Sequence, residues 1–170
     1  MTIDTVIVSS YQTNCYILTK NDKVLVIDPG GNFEKIKPFL LNKDLIGTLI
    51  THNHEDHVGA VKYFEKVYDF DNLTEGRHEL GPFKFEVIYT PGHTTDSITY
   101  YFYGDKIMFT GDFIFKGAIG RMDLPTGNVD DMYSSLNKIK KYGDVKIYPG
   151  HGPSTSLNVE KQNNVYFSNW

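Results

Sequence analysis

The sequence predicts an α/β protein made of two stacked sheets with helices on their outer faces. Three observations lead to this class. Strand-like runs recur in both halves of the chain and alternate with segments of helical spacing. The four segments richest in histidine and aspartate each follow one of those strands, so they can converge on one edge of a sandwich. The 170 residues contain no linker, low-complexity tract or short-period repeat, and read as one domain over 1–170 with a sizeable core.

Residues 5–9, 15–19 and 24–27 are short β-branched and aromatic runs and read as strands, with Asn21-Asp22 turning the last two into a hairpin. Asp28-Pro29-Gly30-Gly31 stops the third strand, since each of these residues favours a turn. Helical spacing follows over 33–41. Residues 46–51 form an apolar, β-branched run expected to be a buried strand, and 58–64 then has helical spacing. In the second half, 83–89, 97–103 and 106–110 read as strands. A long loop over 112–128 carries Gly117, Gly120, Pro125 and Gly127. Met132, Leu136 and Ile139 keep a 3.6-residue period within a helix over 130–142, and 145–148 is the last core strand.

Composition narrows the function classes. The formal net charge is −4, and the densest basic cluster, Lys138-Ile139-Lys140-Lys141, lies in a helical pattern as a solvated face. Nucleic acid is therefore disfavoured as a partner, because phosphate binding needs concentrated positive charge. No apolar run approaches a bilayer span, and the first residues lack the charged and apolar regions of a signal peptide, so the cytoplasm is the expected compartment. The single cysteine, Cys15, has no internal disulfide partner and reads as a small buried hydrophobe.

Five of the six histidines fall where one dinuclear metal site would need them. Three lie in His52-Asn53-His54-Glu55-Asp56-His57, one in Pro91-Gly92-His93-Thr94 and one in Pro149-Gly150-His151-Gly152. At this composition an H-x-H-x-D-H pattern arises by chance in roughly one such chain in two thousand, so it is specific. His52 and His54, two apart in an extended segment, project to one side and can share an ion. His93 would complete that three-histidine site, while Asp56 and His57, where the chain turns into a helix, would pair with His151 on a second ion. Asp112, at a strand end in Thr110-Gly111-Asp112, has two carboxylate oxygens and can bridge. Such a cysteine-free ligand set with room for water is catalytic more often than structural. His78, in the polar stretch Glu75-Gly76-Arg77-His78-Glu79, reads as a surface residue in a turn.

These motifs resemble the metallo-β-lactamase superfamily, and within it the small proteins similar to glyoxalase II, hydroxyacylglutathione hydrolase. Asp28 resembles its first motif, residues 52–57 the second, His93 the third, Asp112 the fourth and His151 the fifth. Gly120-Arg121-Met122-Asp123-Leu124-Pro125 and residues 149–155 also look like that subgroup. The resemblance implies an αββα sandwich of two mixed sheets. It implies His52, His54 and His93 on one metal, Asp56, His57 and His151 on the other, Asp112 between them, and Asp28 supporting the ligands by hydrogen bonding. Two divalent ions are expected, zinc first, with iron or manganese as alternatives. Two departures stand out: Asp96 replaces a common glycine in the third motif, and 19 residues follow His151 where glyoxalase II has a further helical region.

The expected activity is metal-assisted hydrolysis of a small acyl thioester of the hydroxyacylglutathione type, with a metal-bound hydroxide oriented by Asp56. Arg121 is expected to hold a carboxylate of the substrate's thiol portion, or else to pair with Asp123. Other esters or lactones and a persulfide dioxygenase using one iron are the main alternatives, followed by a diiron electron-transfer module and a metal-stabilised binding protein. The expected partner is a small thioester, with neither nucleic acid nor a membrane involved.

Overall fold

The structure, a computed structural model, describes residues 1–168. The chain starts with three antiparallel strands, β1 (Thr2–Val8), β2 (Thr13–Lys20) and β3 (Lys23–Ile27). Asn21, in the left-handed region at φ 59°, makes the tight hairpin that pairs Lys20 with Lys23. After the short helix α1 (Phe33–Ile36), β4 (Asp44–Leu49) and the two-residue β5 (Val67–Tyr68) add in parallel, separated by α2 (Glu55–Val58). The first sheet is therefore mixed, in the order β1-β2-β3-β4-β5.

The second sheet grows from β6 (Gly76–Leu80), β7 (Phe83–Tyr89), β8 (Ile98–Phe102) and β9 (Ile107–Gly111), all antiparallel neighbours. A small hairpin, β10 (Ile114–Phe115) with β11 (Ala118–Ile119), leads to helix α3 (Val129–Ile139). Strand β12 (Lys146–Pro149) then docks parallel to β9 and takes β13 (Thr155–Ser156) on its far side, before α4 (Leu157–Asn163) and α5 (Val165–Ser168). This sheet, β13-β12-β9-β8-β7-β6, is also mixed.

Side-chain alternation explains the layers. On β2, Tyr16 and Leu18 point between the sheets and pack with Leu25, Ile27, Phe83, Phe85, Tyr100 and Phe109, while Cys15 and Ile17 face outward onto Ile36, Ala60 and Phe64. Met108 and Ile147 face the opposite outer layer, covered by Met132, Leu136 and Ile139 of α3 and by Leu157 and Phe167. The result is an α-β-β-α stack, the two-sheet fold expected. Cys15 is fully buried, as its surroundings in the sequence suggested. No helix among the described residues is long and apolar enough to cross a membrane.

Several segments depart from the sequence expectation for identifiable reasons. The helix expected over 33–41 becomes α1 followed by a 3₁₀ turn at Lys37–Phe39, because Pro38 lacks the N–H that a continuing helix requires. The helix expected over 58–64 begins earlier, inside the histidine motif, and gives way to a 3₁₀ turn at Val61–Tyr63. His78 lies not in a turn but in the edge strand β6, its imidazole hydrogen-bonded to the Thr74 carbonyl and its ring over Phe85. The segment after His151 folds back onto the sandwich. Buried Glu160 on α4 accepts bonds from Gly117 N, the Thr155 hydroxyl and Asn164 Nδ2, and so fixes the β10–β11 turn.

Candidate metal centre

Asp28, His52, His93, Asp112 and His151 each lie within about four residues of the end of a strand: β3, β4, β7, β9 and β12. All five strands run the same way, so these ends share one edge of the sandwich. Turns there need close backbone approach. A side chain on Gly30 would meet the Asp56 carbonyl at 1.5 Å, and one on Gly150 would meet Asp112 Oδ1 at 2.3 Å and His57 Cε1 at 2.7 Å. Glycine at these positions lets the two sheets' loops close around the cluster.

The structure brings the ligand candidates together in three overlapping groups: His52, His54 and His93; His52, His57 and Asp112; Asp56, His57 and His151. His54 Nδ1 is 3.1 Å from both His52 Nε2 and His93 Nε2. Nitrogens bound tetrahedrally to one zinc ion would be about 3.3 Å apart, so this spacing fits a shared cation. Asp112 reaches both sides: Oδ2 is 3.6 Å from His93 Nε2 and 3.4 Å from His151 Nε2, and Oδ1 is 3.3 Å from His57 Nε2. His57 Nε2 and Asp112 Oδ1 are buried and make no hydrogen bond, which a native interior rarely leaves uncompensated. Imidazole and carboxylate donors with two orphaned atoms between them suit divalent metal ions.

Hydrogen bonds outside the cluster set which nitrogen each imidazole presents. Asp28 Oδ1 accepts from Thr51 N at 2.8 Å, and its Oδ2 accepts from the Thr51 hydroxyl at 2.7 Å and from His57 Nδ1 at 2.9 Å. Because the Thr51 proton goes to Asp28, its oxygen accepts from His52 Nδ1 at 3.1 Å. His93 Nδ1 donates to the Arg121 carbonyl at 2.7 Å. All three rings therefore keep Nδ1 occupied and turn Nε2 toward the cluster. Asp28 holds this position with a left-handed backbone, φ 51°.

Without metal the cluster is strongly polarised. Burial pushes His52 and His54 below the ordinary imidazole pKa, helped by neighbouring imidazoles. Burial also disfavours charge on His57, but Asp28 and Asp112 outweigh it and push that imidazole up to about 10. His151 is likewise raised to about 10, its burial overcome by Asp112 and Asp56. The two aspartates are held well below the usual carboxylate range: burial opposes this, and His151 and His57 outweigh it.

The cluster forms the floor of an open cavity of about 870 Å³, whose lining includes His54, Asp56, His93, Asp112 and His151 with Tyr11, Arg121 and Leu124. That size suits a small-molecule ligand. Arg121 is exposed at the rim and pairs with Asp123 through Nε–Oδ1 at 2.6 Å and Nη2–Oδ2 at 2.7 Å. Asp96 does not face the cavity: its Oδ2 accepts from Asn53 N at 3.0 Å and steadies the backbone between His52 and His54. Thr13, Thr51 and the Arg121 carbonyl escaped the sequence reading. Thr51 gave one signal, a polar residue ending an apolar strand; Thr13 gave none, since its partner Asp56 is 43 residues away.

A histidine–aspartate centre of this shape, set in the edge of an αββα sandwich, defines a metal-dependent hydrolase. The family model described as the metallo-β-lactamase superfamily matches residues 9–79 and 65–151, and the chain belongs to that superfamily. It is 32% identical to a Streptococcus pyogenes protein named probable metallo-hydrolase, covering 91% of this chain and 85% of that one. It is 29% identical to hydroxyacylglutathione hydrolase GloC of Haemophilus influenzae, over 99% of both chains. Among solved structures, the B3 metallo-β-lactamase BLEG-1 superposes with a TM-score of 0.92 at 28% identity, over 98% of this chain and 100% of the other. TTHA1623, solved in a di-iron-bound form, superposes at 0.85 with 27% identity, over 95% and 98%.

Proposed function

We propose that the chain hydrolyses small acyl thioesters, of the hydroxyacylglutathione type, at a centre that holds two divalent ions. The observation that carries this is a set of three ligand groups that overlap through His52 and His57, with Asp112 3.6 Å from His93, 3.4 Å from His151 and 3.3 Å from His57, at the floor of an open cavity. His52, His54 and His93 would hold one ion, Asp56, His57 and His151 the other, and Asp112 would join both. Bound ions would bring the pKa of coordinated water to about 7 and polarise a carbonyl oxygen. Zinc fits these donors, and so does iron, the metal of TTHA1623.

Leaving-group chemistry favours a thioester. Water adds to the carbonyl carbon, the C–S bond breaks, and a carboxylic acid and a thiol result. A departing thiol with a pKa of about 8.5 leaves as thiolate without strong protonation. An amide nitrogen would have to be protonated in order to leave, a demand that a thiolate does not make. Asp56 Oδ2 is taken by Thr13 and faces His151 at 3.2 Å, which leaves Oδ1 to orient the attacking water. The relative named GloC supports the acyl-glutathione class.

The test is metal analysis of protein purified without added metal, followed by turnover of a panel of thioesters, esters, lactones and a glutathione persulfide. Two ions per chain and highest kcat/KM on hydroxyacyl thioesters are expected. Oxygen uptake with the persulfide, and no thioester cleavage, would overturn the assignment.

Arg121 does two separable things. Its carbonyl holds His93, which no side-chain substitution removes. Its exposed guanidinium can exchange Asp123 for a substrate carboxylate, because an exposed pair of this kind is weak and a carboxylate ligand offers the same two parallel hydrogen bonds. Arg121→Ala should raise KM about tenfold for thioesters with an anionic thiol portion, leave kcat within about twofold, and spare uncharged thioesters, the pattern of lost uniform binding. Equal losses on charged and uncharged substrates would assign the side chain to the loop's structure instead.

A further inference from the structure

Between the two sheets' loops sits one residue that touches both halves of the second ligand group. Thr13, at the start of β2, is fully buried. Its hydroxyl donates to Asp56 Oδ2 at 2.7 Å, and its backbone forms an isolated antiparallel bridge with His151. Asp56 arrives on α2 from the first sheet, and His151 on the loop after β12 of the second. Across the same seam Asn14 N donates to the Gly150 carbonyl at 2.7 Å, and Asn14 Nδ2 donates to the carbonyls of Pro149 at 3.0 Å and Gly152 at 2.9 Å. A buried threonine usually satisfies its hydroxyl on nearby backbone. Here the hydroxyl instead spends its only proton on a carboxylate 43 residues away.

That proton assignment fixes the rest of the chain of bonds. Thr13 Oγ1 must accept from Ser9 Oγ, 3.0 Å away, and Ser9 Oγ accepts from Tyr11 N at 3.1 Å. The polarity runs one way, from the β1–β2 turn at the cavity wall through Ser9 and Thr13 to Asp56. Ser9 and Gln12 both adopt positive φ, 59° and 58°, to close that turn. A hydrogen bond to an ionised oxygen is short and strong, and it leaves Asp56 one orientation, with Oδ2 3.2 Å from His151 Nε2.

Building on the two-ion reading above, we propose that Thr13 is the positioning residue of the second metal subsite, setting the separation of Asp56 and His151. Its hydroxyl aims the carboxylate while its backbone holds the histidine loop. Among the described residues, His52, His54 and His93 make no side-chain hydrogen bond to Thr13, so the three-histidine subsite should depend on it little.

Full-length Thr13→Val and Thr13→Ser, stripped of metal, should be titrated with Zn²⁺ against a competing chromophoric chelator. Valine keeps the shape and removes the donor; serine keeps the donor. In Thr13→Val the first ion should bind as in the wild type and the second about 10–100-fold more weakly, the loss typical of removing a partner of a metal ligand. Thr13→Ser should recover the second affinity to within about threefold of wild type. Unchanged affinity for both ions in Thr13→Val would overturn the role. So would Thr13→Ser as weak as Thr13→Val, or a Thr13→Val chain that does not fold, since both assign Thr13 to the seam's structure rather than to Asp56. Wild-type protein that takes one ion only would overturn the two-ion reading itself, a different result from the other three.

Discussion

Asp112→Ala should empty the centre of both ions and abolish nearly all turnover. No other group in the cluster combines two oxygens with reach to both sides: Asp112 lies within 3.6 Å of His93, 3.4 Å of His151 and 3.3 Å of His57. Asp56 cannot take over, because Thr13 holds its Oδ2 and α2 fixes its backbone. Removing a mere partner of a ligand already costs 10–100-fold in affinity or activity, so loss of the shared ligand should lower kcat/KM by more than about 100-fold. Metal content per chain after dialysis without added metal, measured beside kcat/KM on a thioester, checks both halves. Two tightly held ions and near-normal turnover in Asp112→Ala would sink the shared-carboxylate assignment. In the metal-free protein alanine also removes a partner of His57 and His151, so melts of stripped wild type and Asp112→Ala belong beside these measurements to separate lost metal from lost stability.

How much of this was legible in the sequence depends on the range of the interaction. The His52 to His57 motif is local: a two-residue period places His52 and His54 on one side, and its composition is improbable by chance. The strands before Asp28, His52, His93, Asp112 and His151 were legible because buried strands are apolar and β-branched. The edge strand β6 was not, since Gly76 to Leu80 is mostly polar and pairs on one side only, with β7. The start of α2 inside the motif escaped as well. Helical spacing is read from apolar residues, and Glu55, Asp56 and His57 are not apolar. Asp96 stood out in the sequence only as a departure from the third motif; its contact with the Asn53 backbone, across 43 residues, was not legible there.

The contacts that orient the ligands were the least legible. Thr13 to Asp56, Arg121 to His93 and Asp28 to His57 span 43, 28 and 29 residues. No periodicity encodes such pairs; they exist because two sheets stack and bring their strand ends to one edge. The turn-forming chemistry of Asp28-Pro29-Gly30-Gly31 was visible in the residues themselves, whereas Asp28's support of the ligands was visible only through the family resemblance, and its three partners not at all. That aspartate accepts three hydrogen bonds while almost fully buried.

Asp28→Asn should therefore be the most damaging substitution of a residue outside the ligand set. The carboxylate is acceptor-only and faces three donors, Thr51 N, the Thr51 hydroxyl and His57 Nδ1. Asparagine has one acceptor oxygen, so whichever way its amide sits, an N–H meets another donor. If the amide faces His57, the ring must move its proton to Nε2, the nitrogen that points at the cluster, and affinity for the second ion should fall about 10–100-fold. In the metal-free protein the same change breaks a buried ion pair, for which loss of one partner typically costs about 3–5 kcal/mol. At roughly 2–4 °C per kcal/mol for a chain of this size, melting should drop by on the order of 10 °C near pH 6.5. The pH dependence adds a second signature. His57 is raised from its ordinary 6.5 to about 10 in the metal-free fold, so its pairing stabilises fully below about 6.5 and is lost as pH climbs toward 10. Stripped wild-type protein should therefore melt progressively lower from pH 6.5 to 10. Asp28→Asn should flatten that slope without removing it, because His151 carries the same sign through Asp112 and Asp56. Melts of metal-stripped wild type and Asp28→Asn at pH 6.5, 8 and 10 decide the matter, and identical slopes with identical midpoints would show that Asp28 does not set the charge of His57.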